Sequence, residues 1–266
     1  MPFDPEKDLI AKYLSKPSKR RSGIPMTMPV KFIVAHDTGN PGSTASGNVR
    51  YYENSRHEIS ASAHIFVDDK EIIECIPALT GQPEVAYHVR KNMEQDNILY
   101  GVNANDAAIG IEYCYGGKIK SDDAYKKYVS VIAFAIKKFN LPPKGAVVGH
   151  YFLDPCRKTD PLTGLADSRR TYDQLLKDVE AEYLDQTGGA QNIPLNIHPQ
   201  INSIITTSKL NLRKNEPSTR TDIVNTVSVG TKLEYIGWTD DGERINGVSK
   251  WYKTPEGYFF WSGGVM

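Results

Sequence analysis

Cysteine is scarce in this sequence. Cys75, Cys114 and Cys156 are too few, and odd in number, for a disulfide framework. They fit a reducing compartment or buried free thiols, so no structural disulfide is expected. A surplus of charge is missing as well. Lys and Arg total 32 against 32 Asp and Glu, and no basic stripe interleaved with aromatics occurs. That balance argues against nucleic acid or an anionic membrane surface as partner. The first thirty residues carry early acids and no apolar run of signal-peptide length, and no later run reaches bilayer-crossing length. Neither ordinary signal-directed export nor membrane insertion is expected. Tandem repeats and low-complexity segments are also absent.

What is present is globular material in amounts that can bury a core, and 266 residues suit one sizeable domain plus one small module. Residues 1–29 read as an arm, with a short helical pattern around Leu9–Leu14 and then a basic, proline-punctuated stretch. From Val30 the pattern turns to strand: in KFIVAH, Phe32, Val34 and His36 share one face, and the run ends in the turn-rich DTGNPGSTAS. A helical pattern covers NVRYYENS, and AHIFVDD and EIIECIPA read as a hairpin with its tip at Asp68–Lys70. AIGIEYCY is a further strand, with Glu112 and Cys114 on one face. SDDAYKKYVSVIAFAIKKFNL is the most securely helical segment, stopped by Pro142 and Pro143. The short strand AVVGH follows and ends in His150, and a last helix is expected from about Ser168 to Tyr183. The polar stretch DQTGGAQNIPLNIHPQ reads as a linker, and beyond it lie short strand-like pieces that hold all three tryptophans.

Two histidines carry the first hint of chemistry. A hydrolytic zinc site needs three protein ligands and an open position, and histidine is the commonest ligand. His36 and His150 each close a strand where a loop begins, and strand ends that share a crevice are where ligands collect in α/β sheets. The loop GHYFLDPCRKTDP then offers Asp154, Cys156 and Asp160 as candidates for the third ligand.

VAHDTG, SAHIFVDD, AYH, IGIEYC and GHYFLDPCRKTDP occur in this order over about residues 28–184, and the set resembles the N-acetylmuramoyl-L-alanine amidases of the amidase-2 and peptidoglycan recognition protein family. The resemblance implies an α/β fold, a central mixed β-sheet flanked by helices, with one zinc ion in a groove open to solvent. It implies His36, His150 and Asp160 as the metal ligands, with the Arg-Lys-x-Asp-Pro wording selecting Asp160 over its neighbours. Ile-Gly-Ile-Glu makes Glu112 the counterpart of the family's acid–base carboxylate, and Lys158, two residues before the last ligand, would steady the oxyanion. His88 and Tyr87, in an Ala-Tyr-His where the family often has Ala-Trp-His, are expected to line the substrate groove. His64 matches a family pattern and is grouped with them as substrate-binding. The implied reaction cuts the lactyl–L-alanine amide of peptidoglycan, as an endolysin or an autolysin would. Without a signal peptide, holin-type release or another non-standard route is the expected delivery to the wall.

The last sixty residues, through LNLRKNEPST, VGTKLEYIGWT and KWYKTPEGYFFW, resemble bacterial SH3-like domains, which implies a small all-β barrel that binds wall peptides. Trp238, Trp251, Tyr252 and Trp261 are its candidate wall-binding aromatics, although a domain this small also needs large side chains for its core. The expected organisation is an arm at 1–29, a zinc amidase domain at 30–185, a linker at 186–206 and the SH3-like domain at 207–266. Two other functions compete: a wall peptidase using Cys114 as nucleophile with His150 as base, and a peptidoglycan-binding protein without catalysis.

Overall fold

The computed structural model describes residues 3–187, 195–219, 221–243, 245–246 and 248–266. The chain divides into two compact units, Met1–Ile193 and Pro194–Met266.

The first unit is built on a six-stranded mixed sheet in the order β1-β4-β3-β5-β2-β6. Its strands are β1 (Leu9–Ala11), β2 (Phe32–Asp37), β3 (Ile65–Val67), β4 (Ile72–Glu74), β5 (Ala108–Tyr113) and β6 (Val147–Gly149). β3 and β4 form the expected hairpin, and Asp68 tightens its tip by accepting from the Lys70 and Glu71 amides at 2.8 and 2.9 Å. β3, β5, β2 and β6 run parallel, and β2, flanked by β5 and β6, is buried along its whole length, as a central parallel strand must be.

The expected helix near Leu9 is a strand instead. Only Pro5–Asp8 is helical (α1), and Leu9–Ala11 lies parallel to β4. Three residues of mixed pattern are decided by the vacant sheet edge beside them rather than by their own spacing. The stretch that follows is docked too. Buried Arg21 grips Glu84 through two hydrogen bonds of 2.7 and 2.8 Å, and Arg20 donates to Ser55 and stacks on Tyr52.

The helices are α2 (Ala45–Asn54), α3 (Gln95–Tyr100), α4 (Ala104–Ala107), α5 (Ser121–Lys138), α6 (His150–Leu153), α7 (Leu162–Asp167) and α8 (Tyr172–Gln186). α5 has the strongest local logic: Asp122 and Asp123 in its first turn and Lys137 and Lys138 in its last complement the helix dipole. Its apolar face, including Tyr128, Ile132 and Ile136, packs in one core with Ile33, Ala35, Ile109 and Ile111 of the sheet and with Leu175 and Val179 of α8. On β2 the alternate residues Phe32 and Val34 belong to a second core with Val89, Val102, Ala104 and Leu153. His36 continues that second face.

The second unit is all β, six strands in the order β7-β10-β11-β12-β8-β9, each neighbouring pair antiparallel. They are β7 (His198–Ile205), β8 (Leu210–Arg213), β9 (Ile223–Val227), β10 (Lys232–Thr239), β11 (Trp251–Lys253) and β12 (Phe259–Trp261). Leu210, Leu212, Leu233, Tyr235 and Phe260 fill its core. Of the expected linker, residues 188–194 lie outside the described residues, and His198–Ile205 is the strand β7 rather than a connector.

Candidate metal centre

Strand register assembles the site. β2 and β5 pair in parallel with His36 opposite Glu112, and β2 and β6 pair with Ala35 opposite Gly149, which puts His150 beside His36 one residue later. All three strands end on the same edge, so their C-terminal ends open together. The loop after α6 returns to that edge: the Tyr151 amide donates to the Asp160 carbonyl at 2.8 Å. Asp160 Oδ2 then sits 2.9 Å from His36 Nδ1 and 3.0 Å from His150 Nδ1. One ligand atom from each of His36, His150 and Asp160 lies within 4.8 Å of the other two, and all three residues are buried.

The other two candidates for third ligand are placed differently. Buried Asp154 organises the loop by pairing with Arg157 and accepting from the Lys158 amide on its carbonyl, and Cys156 is exposed. Two imidazoles and a carboxylate are a donor set that catalytic zinc centres use. One buried atom fits that reading: Glu112 Oε2 has no hydrogen-bond partner among the described residues.

The electrostatics follow from burial. It holds the Glu112 carboxyl well above the usual range; the charges of Asp160 and Asp37 push the same way, and the Lys158 ammonium pulls it down. Burial also drives His36 down to about 4, although the Asp160 carboxylate beside it opposes the shift. The Asp160 carboxyl, despite burial, is held below the ordinary range by the His150 and His36 rings beside it.

His64 and His88, expected at the groove, are both buried: His88 Nδ1 is 3.1 Å from His36 Nε2, while His64 Nε2 donates to the Glu84 carbonyl at 2.9 Å. Tyr87 is half-buried next to them. In the second unit, Trp251 is buried in the core and donates to the Glu243 carbonyl, which removes it from the wall-binding candidates. Tyr252 packs against Phe260, and Trp261 donates to the Val248 carbonyl. Trp238 is half-buried, stacked on His198 with Lys250 4.0 Å over its ring.

Three supports hold the residues of the centre in place. Tyr128, reaching up from α5, donates to the His36 carbonyl at 3.0 Å. Asp37 accepts from the Gly164 amide at 2.8 Å and from Gly39 at 3.0 Å, tying α7 to the end of β2. Gly110 leaves the space that His88 occupies, since a Cβ there would lie 2.8 Å from the His88 ring. The rival nucleophile Cys114 is buried, its thiol is pushed up well above its ordinary range by burial, and its side-chain partner is Asn48. That environment opposes the thiolate a cysteine mechanism requires.

A family model described as N-acetylmuramoyl-L-alanine amidase matches residues 26–163, more than half of the 266. The chain is 36% identical over 154 residues to the N-acetylmuramoyl-L-alanine amidase BlyA of Bacillus subtilis, covering 54% of this chain and 40% of that protein. It is 28% identical over 173 residues to a bifunctional autolysin of Staphylococcus aureus, covering 59% of this chain and 12% of the autolysin. The match therefore spans less than half the length of either relative. Among solved structures, the Staphylococcus aureus hydrolase AmiA in complex with its ligand aligns with a TM-score of 0.54 at 23% identity, over 69% of this chain and 87% of that one. The catalytic domain of XlyA aligns with a TM-score of 0.52 at 24% identity, over 65% of this chain and 99% of that one. At these identities the structural likeness speaks for the shared fold.

Proposed function

The chain belongs to the amidase-2 family of N-acetylmuramoyl-L-alanine amidases, and from that premise we propose that it is a zinc-dependent hydrolase of the amide joining the lactyl group of peptidoglycan to L-alanine. The observation that carries this reading is the convergence of His36, His150 and Asp160 on one point at the sheet edge, with Glu112 opposite His36 on the adjacent strand. His36 Nδ1, His150 Nδ1 and a carboxylate oxygen of Asp160 would hold the ion. When bound, it would supply Lewis acidity, making water acidic near neutral pH and polarising the scissile carbonyl.

The chain's own residues do the rest. Glu112 takes a proton from the attacking water and delivers it to the departing amine nitrogen of L-alanine, and its burial suits a group that must hold a proton between those events. The Lys158 ammonium, whose field already acts on Glu112 and His36, faces the negative charge that develops on the carbonyl oxygen. Tyr87, half-buried beside the site, is the remaining candidate for contact with substrate.

The second unit acts, on this reading, as an SH3-like wall-binding domain. Its support is the antiparallel sheet and the half-buried cluster of Trp238, His198 and Lys250, an aromatic pair beside a cation. Peptidoglycan is the partner of both units. Among the described residues, no helix is long and apolar enough to cross a membrane.

The test is release of L-alanine amino termini from purified peptidoglycan. Activity should disappear on chelation, return with zinc, and fall by about 10²- to 10⁴-fold in Glu112→Ala. A zinc-replete protein that binds the wall and releases nothing would instead be a binding protein, and activity lost to thiol alkylation but not to chelation would restore the cysteine mechanism.

A further inference from the structure

Beside the candidate metal centre two sets of hydrogen bonds fix where His64, His88 and His36 carry their protons. In the first, the backbone N–H of Gly110 donates to His64 Nδ1 at 3.0 Å. The His64 proton therefore sits on Nε2, which donates to the Glu84 carbonyl. His88 Nε2 faces the Ala108 carbonyl at 3.2 Å, and a carbonyl oxygen only accepts, so that nitrogen carries the His88 proton. His88 is buried and no carboxylate is among its hydrogen-bond partners, so it is neutral and its Nδ1 is bare. That bare nitrogen lies 3.1 Å from His36 Nε2, which must then be the donor. The proton of neutral His36 is thereby committed to Nε2, and His36 Nδ1 is left as a lone pair facing Asp160 Oδ2 at 2.9 Å.

We propose that His88 is a positioning residue: by accepting from His36 Nε2 it locks His36 in the tautomer whose Nδ1 is free to bind a divalent cation, with Gly110 and His64 fixing the seat of His88. His150 has no such lock, since its Nε2 is buried without a partner among the described residues. The two histidine ligands are therefore unequal, one set in advance and one set by the ion itself. The same geometry gives the glycine of Ile-Gly-Ile-Glu a physical role. A Cβ at position 110 would meet the His88 ring at 2.8 Å, and the Gly110 amide is also the donor that sets His64. Groups behind a metal ligand typically change metal affinity by 10- to 100-fold when removed.

The proposal rests on the zinc reading of the site, and two measurements separate their failures. The first is imidazole nitrogen NMR on the metal-free wild-type chain, which needs no ion. His36 should show its proton on Nε2 and His88 a bare Nδ1; a proton on His36 Nδ1 overturns the proposal. The second is zinc affinity by competition with a chromophoric chelator. His88→Leu, which has no acceptor, should bind zinc about 10- to 100-fold more weakly than wild type. His88→Asn, whose side-chain oxygen can stand where Nδ1 stood, should recover most of that loss. Equal losses in the two variants, or none in either, would reduce His88 to packing. If the wild-type chain takes up no zinc, the metal reading falls, and the spectrum of His36 still decides the relay.

Discussion

His64 shows what burying an imidazole does to pH dependence. Burial lowers its pKa to about 4 from the ordinary 6.5, so the unfolded chain takes up a proton that the folded one refuses. The stability involved is fully present above pH 6.5 and is lost as pH falls towards 4, an effect of about 3 kcal/mol for this one group. His36 adds to it with the same sign. Urea unfolding of the chelated protein between pH 7 and 4 should follow that decline, and a flat profile would mean these rings are charged in the fold. Gly164 gives a second prediction. An added Cβ would meet Tyr113 and Tyr115 ring carbons at 2.9 Å and the Asp37 Cβ at 3.0 Å, so Gly164→Ala should cost about 1–3 kcal/mol, read as a lower melting temperature. At this scale the sequence was informative where a residue type and its place at a strand end coincide, as for His36 and His150. It did not foresee the packing of His88, because a ring folded back over Gly110 has no periodic or compositional signature.

Among the elements, the strands were legible because alternation and the flanking turns marked them, and the pairing was not. Nothing in KFIVAH, AIGIEYC or AVVGH says that the three are neighbours, or that His36 faces Glu112; that comes from parallel pairing across the helical connections. The arm failed for the opposite reason. Its local pattern pointed to a helix, and the free edge of β4 made Leu9–Ala11 a strand. The clamp from Arg21 to Glu84 holds that arm, and both side chains are buried. Glu84→Ala would strand the guanidinium without a carboxylate, a loss of about 3–5 kcal/mol for a broken buried pair. Hydrogen exchange should then quicken first at the amides of β1, whereas a uniform change across the sheet would mean that the clamp is not what holds the strand.

At the scale of the whole molecule, two compact units were expected from length and from the polar stretch between them, although β7 takes up residues that read as linker. A chain ending at residue 187 contains every residue of the candidate centre. It should keep the release of L-alanine amino termini from soluble fragments and lose retention on intact walls; retention by the shortened chain would move wall binding to the first unit. The place of β1 matters for handling the protein as well. β4 is a run of Ile72, Ile73 and Glu74, hydrogen-bonded on one side to β3 and on the other to Leu9–Ala11. Cutting away residues up to 11 would leave an apolar strand edge with unmet amides and carbonyls, the usual template for one sheet to grow onto another. Those eleven residues, remote from the chemistry, would then set how concentrated a solution stays clear.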